Sequence, residues 1–176
     1  VVATATFPSR TLGFRVLSLF VTDRAATTTA DHLIAAVTDH YDALPSYAAA
    51  AAKVQPLLKD WLGAEPLTAL NILDQDGQPF EDDSLLVAPV RAIDSGALAP
   101  SLVHSLTHVW FRSSQEWLDE GVPQLMALLW LERSEGREAA LRQLQSKVNA
   151  LALAEPAPSA DSSASAGQSL IEATDE

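Results

Sequence analysis

Hydrophobic residues recur along this chain with two different spacings, which predict different elements. Alternating or short apolar runs predict strands at residues 12–21, 66–73 and 84–90. Spacings of three and four predict helices from about residue 30 to 44, at 46–61, at 95–111, from a capping box at 113–116 to about 134, and at 137–154. Strands near the start that are followed by a run of helices predict an α+β fold.

Proline, glycine and short polar residues set the expected ends of these elements. We expect Pro45 to end the first helix, Pro56 to kink the second, and Gly63 to stop it. Residues 74–77, Asp-Gln-Asp-Gly, predict a turn between two strands. Residues 113–116, Ser-Ser-Gln-Glu, predict a capping box for the helix that follows, which Pro123 is expected to bend.

The chain is expected to form one domain over residues 1–154. A Pro-, Ala- and Ser-rich loop or linker follows at 155–168, and residues 169–176 predict the start of a further element that is cut short. A chain of 176 residues is long enough to bury roughly 70% of its unfolded surface. It begins with Val1 and no signal-type segment follows, so we interpret it as a piece of a longer protein whose domain is incomplete.

Composition excludes several classes of partner and chemistry. The formal net charge is −12 and no basic stripe interrupts it, so nucleic acid and anionic membranes are poor partners. The chain has no cysteine, which excludes disulfides, thiolate metal ligands and cysteine nucleophiles. No apolar run is long enough to predict a transmembrane helix. No pattern in the sequence sets the oligomeric state.

Two histidines on one predicted helix and an acid on the next form a candidate metal site. His104 and His108 are four positions apart and therefore share a helix face. Glu120 follows on the next helix and offers an oxygen ligand. Two imidazoles and one carboxylate suit one Zn²⁺ ion, with a fourth position open for water. The alternative interpretation is a pair of packed polar histidines and a first-turn acid that complements the helix dipole.

Residues 104–111 and 117–121 carry a resemblance to a known family. They read His-Ser-Leu-Thr-His-Val-Trp-Phe and Trp-Leu-Asp-Glu-Gly. This combination resembles the aminopeptidase-N-like gluzincins, zinc exopeptidases whose pattern is HExxHxWF followed by WLNEG. The resemblance covers roughly residues 66–134 and implies a thermolysin-like (zincin) catalytic domain that binds one zinc ion. It implies zinc ligation by His104, His108 and Glu120, a peptide or protein substrate, and a bacterial extracytoplasmic setting.

The chain departs from that family in three respects. Ser105 stands where the family has the glutamate that acts as general base. The interval between His108 and Glu120 is shorter than in the family, and the tyrosine that supports the oxyanion would lie beyond the end of the chain. We therefore expect peptide hydrolysis to be weak or lost, with Glu116 as a candidate replacement base. The alternative is a non-catalytic pseudopeptidase that acts as a structural or protein-binding module.

Two further acidic positions each have two interpretations. Glu81 is similar in position to the family's GxMEN segment, whose glutamate holds the amino terminus of the substrate. Together with Asp82 and Asp83 it also fits a solvated turn. Asp119 is either a second contact to a ligand histidine or a solvated helix acid.

Aromatic residues and the remaining histidines are expected to be structural. The resemblance implies that Trp110 and Phe111 pack the metal-binding helix. Residue type alone predicts that Trp110, Trp117 and Trp130 are core aromatics. His32 and His40 are expected on the surface of the first predicted helix.

Overall fold

The computed structural model describes residues 19–63 and 65–154, together with residues 4 and 6; the side chains of residues 149–154 are not described. The described part forms five strands, one short 3₁₀ helix and four α-helices. The strands are β1 (Thr27–Thr28), β2 (Ile34–Val37), β3 (Leu70–Asp74), β4 (Phe80–Asp82) and β5 (Leu85–Ala88). The 3₁₀ helix is Tyr41–Ala43, and the α-helices are α1 (Leu44–Leu62), α2 (Ser95–Trp110), α3 (Glu116–Glu135) and α4 (Arg137–Ala154).

The contacts divide the chain into two units, residues Val1–Ala140 and Leu141–Glu176. The first unit contains the sheet, α1, α2, α3 and the beginning of α4. In the second unit, residues 141–154 are helical. None of the described helices is long and apolar enough to cross a membrane.

The strands form one mixed sheet in the order β1-β2-β3-β5-β4. The three central strands are parallel, with Ile34 opposite Leu70 and Asn71 opposite Leu85. The two edge strands, β1 and β4, run antiparallel to their neighbours. Helix α1 connects β2 to β3, as a parallel pair requires. The protein is therefore an α+β domain, as the sequence predicted.

One face of the sheet packs against α1 and α2. Along β2 and β3, Ile34, Ala36, Leu70 and Ile72 are buried at alternate positions, which is the period of a strand with one core face. The helices add buried side chains, among them Val54, Leu58, Leu102, Leu106 and Met126. Burying each large side chain contributes about 1.5–3 kcal/mol, so this layer supports the helix that carries both site histidines.

The helix predicted from about residue 30 to 44 is wrong. Residues Ile34–Val37 instead form strand β2, paired in parallel with β3. The short apolar run from Leu33 fits either element locally, and the neighbouring strand decides between them. Pro45 lies in the first turn of α1 and does not end a helix, because a first-turn proline lacks only an N–H that would have no helical partner.

The later elements agree more closely with the sequence. The structure confirms the predicted ranges of α2 and α4. It also confirms that α1 ends at Gly63, which has φ 119°. The capping box predicted for α3 is wrong, because its N-cap is Gln115 and no side chain caps it. Strand β4 was not predicted. Residues 11–18 and 155–176 lie outside the described residues, and Leu19 to Val21 are not in a strand.

Candidate metal centre

Helix α2 presents both histidines from one buried segment. Asp94 caps the helix and accepts hydrogen bonds from the backbone N–H groups of Gly96 and Ala97, at 2.8 and 3.3 Å. The rings of His104 and His108 are edge-to-face, with centroids 5.1 Å apart. His108 is almost completely buried, whereas the side chain of His104 is 23% exposed. The rings therefore lie side by side at the boundary of the core.

Helix α3 brings a carboxylate to the same pair. The Glu120 Oε2 atom lies 3.7 Å from His104 Nε2 and 4.0 Å from His108 Nε2. Ligands of a tetrahedral zinc ion at about 2.0–2.1 Å lie about 3.4 Å apart. The observed separations exceed that value by about half an ångström. Because the Glu120 side chain is half exposed, a small rotation of that side chain would shorten both distances to those of ligands on one ion.

Strand β4 supplies a second carboxylate from the opposite direction. The Glu81 Oε2 atom lies 3.2 Å from His104 Nδ1, and Ser105 is one of the neighbours that lower the pKa of Glu81. Ligand atoms of Glu81, His104 and His108 all lie within 4.8 Å of one another. This half-buried Glu/His/His cluster could hold a metal ion. The solvated turn predicted for residues 81–83 is wrong, since Glu81 and Asp82 belong to β4 and Asp83 is buried.

The environment sets the ionisation of both kinds of ligand. Burial by itself would raise the pKa of Glu81, but the hydrogen bonds and charges of its neighbours, chiefly His104, outweigh burial and lower that pKa. Burial, followed by the charge of His104, lowers the pKa of His108, against the opposing effect of nearby carboxylates. An ionised carboxylate and a neutral imidazole are the forms that bind a cation.

An ion pair holds the β4–β5 hairpin to the end of α2. Arg112 Nε lies 3.0 Å from Asp83 Oδ1, and its Nη2 donates to Ser84 Oγ at 3.3 Å. Asp83 has φ 59°, in the left-handed region that two-residue hairpin turns use. Glu81 lies two residues before this turn, so the strand that carries it is attached close to the histidine helix.

The remaining candidates have different surroundings. Asp119 is fully buried, and its Oδ1 accepts a hydrogen bond from the Ser113 backbone N–H at 2.8 Å; its proposed contact to a ligand histidine stays a prediction. Glu116 is exposed at the first residue of α3, and among the described residues it takes no part in the contacts between the site histidines and their carboxylates. Ser105 is buried within the site.

The aromatic and histidine predictions are confirmed in part. Trp110 is buried, and Trp130 packs against the core, but Trp117 is 72% exposed, so its expected core position is wrong. His32 and His40 are exposed as expected, yet neither lies on a helix. His32 occupies a turn at φ 57°, and His40 Nδ1 lies 2.7 Å from Asp74 Oδ2.

Comparisons with family models, with curated proteins and with solved structures each found no match.

Proposed function

We propose that this chain is a zinc-binding, metallopeptidase-like domain of the aminopeptidase-N-like type, in which peptide hydrolysis is weak or lost. One observation carries the proposal: the Nε2 atoms of His104 and His108 both face Glu120 Oε2, at 3.7 and 4.0 Å. These residues occupy the ligand positions of the gluzincin pattern, and they come from two consecutive helices, as that thermolysin-like arrangement requires.

The donor set favours zinc over other common ions. Two imidazole nitrogens and one carboxylate oxygen match catalytic zinc sites, whereas Ca²⁺ and Mg²⁺ prefer oxygen ligands. When bound, the ion would supply Lewis-acid polarisation of a peptide carbonyl and activation of water. In this proposal His104, His108 and Glu120 hold the ion, and the half-exposed side chain of Glu120 leaves the ion accessible from solvent.

The serine at position 105 supports weak or absent turnover. A positioned general base contributes about 10²- to 10⁴-fold in rate, and a buried hydroxyl is a poor base at neutral pH. Ser105 is only 2% exposed. Glu116 is exposed, and among the described residues it does not contact the site. Its position therefore does not support a role as replacement base.

A non-catalytic pseudopeptidase is the second candidate function. The observation that favours it is the burial of Ser105, which is 2% exposed at the position where the gluzincin pattern has its general base. Under this alternative the metal cluster stabilises the fold or a protein-binding surface, and peptides are not cleaved.

Metal analysis tests the proposal most directly. The chain, purified without chelator, should contain about one zinc per molecule, and His104→Ala, His108→Ala and Glu120→Ala should each reduce that content strongly. Glu135→Ala is a matched control, because Glu135 is an exposed acid at the other end of α3. A wild-type chain that binds no zinc at micromolar concentration would refute the proposal.

A release assay with short unblocked peptides separates the two candidate functions. Slow, chelator-sensitive release that disappears in His104→Ala supports a weak peptidase. Zinc binding without release above the His104→Ala background supports the pseudopeptidase.

A further inference from the structure

The two nitrogens of the His104 ring face two different carboxylates. Nδ1 lies 3.2 Å from Glu81 Oε2, within hydrogen-bonding distance. Nε2 lies 3.7 Å from Glu120 Oε2, too far for a hydrogen bond but close to the separation of two ligands on one ion. The ring therefore bridges a carboxylate on β4 and a carboxylate on α3.

A neutral imidazole has one N–H donor and one nitrogen lone pair, and its neighbours decide which nitrogen has which. An ionised carboxylate only accepts hydrogen bonds. The contact with Glu81 therefore places the hydrogen on Nδ1, because only an N–H there makes a favourable contact. The lone pair is then on Nε2, the nitrogen that faces Glu120.

We infer that Glu81 is a positioning residue for His104: its carboxylate holds the hydrogen on Nδ1 and so presents Nε2 to a divalent cation. This inference rests on the proposed function for the identity of the cation. It differs from the predicted role of Glu81 in holding a substrate's amino terminus, and from a role as a direct metal ligand.

The geometry separates positioning from direct ligation. The lone pairs of the two imidazole nitrogens point away from each other across the ring, so an ion at Nε2 does not lie beside Nδ1. Glu120 approaches the Nε2 atoms of both histidines, whereas Glu81 lies 3.2 Å from Nδ1 of His104. A carboxylate that receives Nδ1–H is the usual partner of a metal-binding histidine.

Arg112 extends this arrangement by one further contact. Its guanidinium binds Asp83 and Ser84 in the turn that follows β4. Arg112 itself lies two residues after the end of α2. The ion pair therefore fixes the strand that carries Glu81 to the helix that carries His104, and its loss should weaken the positioning contact without removing it.

Imidazole nitrogen NMR of the metal-free chain tests the inference without requiring any activity. In ¹⁵N-labelled protein at pH about 8.5, above the ordinary histidine pKa of about 6.5, wild-type His104 should carry its hydrogen on Nδ1. Glu81→Ala should shift His104 toward the Nε2–H form. Glu81→Gln should keep the Nδ1–H form, because the amide oxygen still accepts a hydrogen bond. An Nδ1–H form that persists in Glu81→Ala would overturn the inference.

Zinc affinity, measured by competition with a coloured chelator, gives the second readout. Glu81→Ala should bind zinc about 10- to 100-fold more weakly, the usual effect of losing such a partner, with the stoichiometry still one. Glu81→Gln should lose less zinc affinity than Glu81→Ala. Arg112→Ala should also lose less zinc affinity than Glu81→Ala. Asp76→Ala is a control, because Asp76 is an exposed acid that pairs with Arg91.

Each outcome assigns Glu81 a role. If Glu81→Gln loses as much affinity as Glu120→Gln, Glu81 is a ligand and the inference is wrong. If the wild-type chain binds no zinc but its His104 tautomer still depends on Glu81, the proposed function fails while the positioning contact is supported. Circular dichroism of every variant identifies any loss of affinity that comes from unfolding.

Discussion

His104 and Glu81 meet at 3.2 Å through the ring nitrogen Nδ1 and the carboxylate oxygen Oε2, and Ser105, the next residue after His104, is one of the neighbours that lower the pKa of Glu81. Ser105 is buried on α2, whereas Glu81 comes from the edge strand β4, 24 residues earlier in the chain. A small side chain at 105 and a carboxylate at 81 therefore occupy neighbouring space. This arrangement determines how the site would respond to a glutamate at position 105.

We expect Ser105→Glu on its own to destabilise the protein and to leave peptide release at background. The longer side chain would overpack a buried position and place two carboxylates together, at a cost of about 1–3 kcal/mol. The double variant Ser105→Glu with Glu81→Ala should be more stable than the single variant, because space is created and the repulsion is removed. Urea unfolding measures both.

Ser101→Glu is the control for that pair, since Ser101 is exposed on the same helix and should change stability little. Destabilisation that is strictly additive between positions 105 and 81 would show that these two side chains do not interact.

Zinc should raise the melting temperature of the wild-type chain, and a chelator should reverse the increase. A ligand that binds only the folded state at 100 times its Kd stabilises that state by about 2.7 kcal/mol. The increase should vanish in His108→Ala and survive in Glu135→Ala, with each variant compared with itself in the presence and absence of metal. Mg²⁺ should have little effect, because it prefers oxygen ligands. An equal shift with Mg²⁺ would indicate a site of different chemistry.

The Arg112–Asp83 ion pair should couple the β4–β5 hairpin to α2. Arg112→Ala should destabilise the chain by about 1 kcal/mol, given that its side chain is partly exposed and an exposed pair is worth at most about that much. In a double-mutant cycle with Asp83→Asn, the two changes should be non-additive by about 0.5 kcal/mol or more. The exposed pair Arg133–Asp60 is the matched comparison, for which we expect additivity within error.

Asp74 should make the stability of the chain sensitive to acid. Burial alone would raise the pKa of Asp74, but hydrogen bonds from Thr38, the Val90 backbone and His40 outweigh burial and lower it. A carboxyl whose pKa is lower in the folded state stabilises that state above its unfolded value of about 3.9. This contribution is lost as the pH falls through the folded value.

Asp74→Asn should therefore be less stable than the wild type at neutral pH, with a difference that shrinks as the pH falls below about 4. Urea unfolding at several pH values measures this. The Asp76→Asn variant provides the comparison, because Asp76 is highly exposed. A difference between Asp74→Asn and the wild type that stays constant down to pH about 2 would contradict the assigned cause.

The β4–β5 hairpin shows why part of the site escaped sequence reasoning. A turn at Asp83 and Ser84 between two short runs is a recognisable hairpin signal, but three consecutive acids at 81–83 equally fit a solvated turn. In the structure Glu81 contacts His104 on α2, and Asp83 forms an ion pair with Arg112. In both pairs the partner lies far from the acid in sequence.

The sequence by itself determined the helix that carries His104 and His108, and the α3 helix that carries Glu120, because helical periodicity and local motifs depend on residues only a few positions apart. Only the tertiary structure decided that residues Ile34–Val37 form a strand and that Glu81 joins the histidines. Both outcomes depend on partners far along the chain: β3 in one case, and the ring of His104 in the other. Pairing and burial between distant segments leave no fixed spacing in a single sequence.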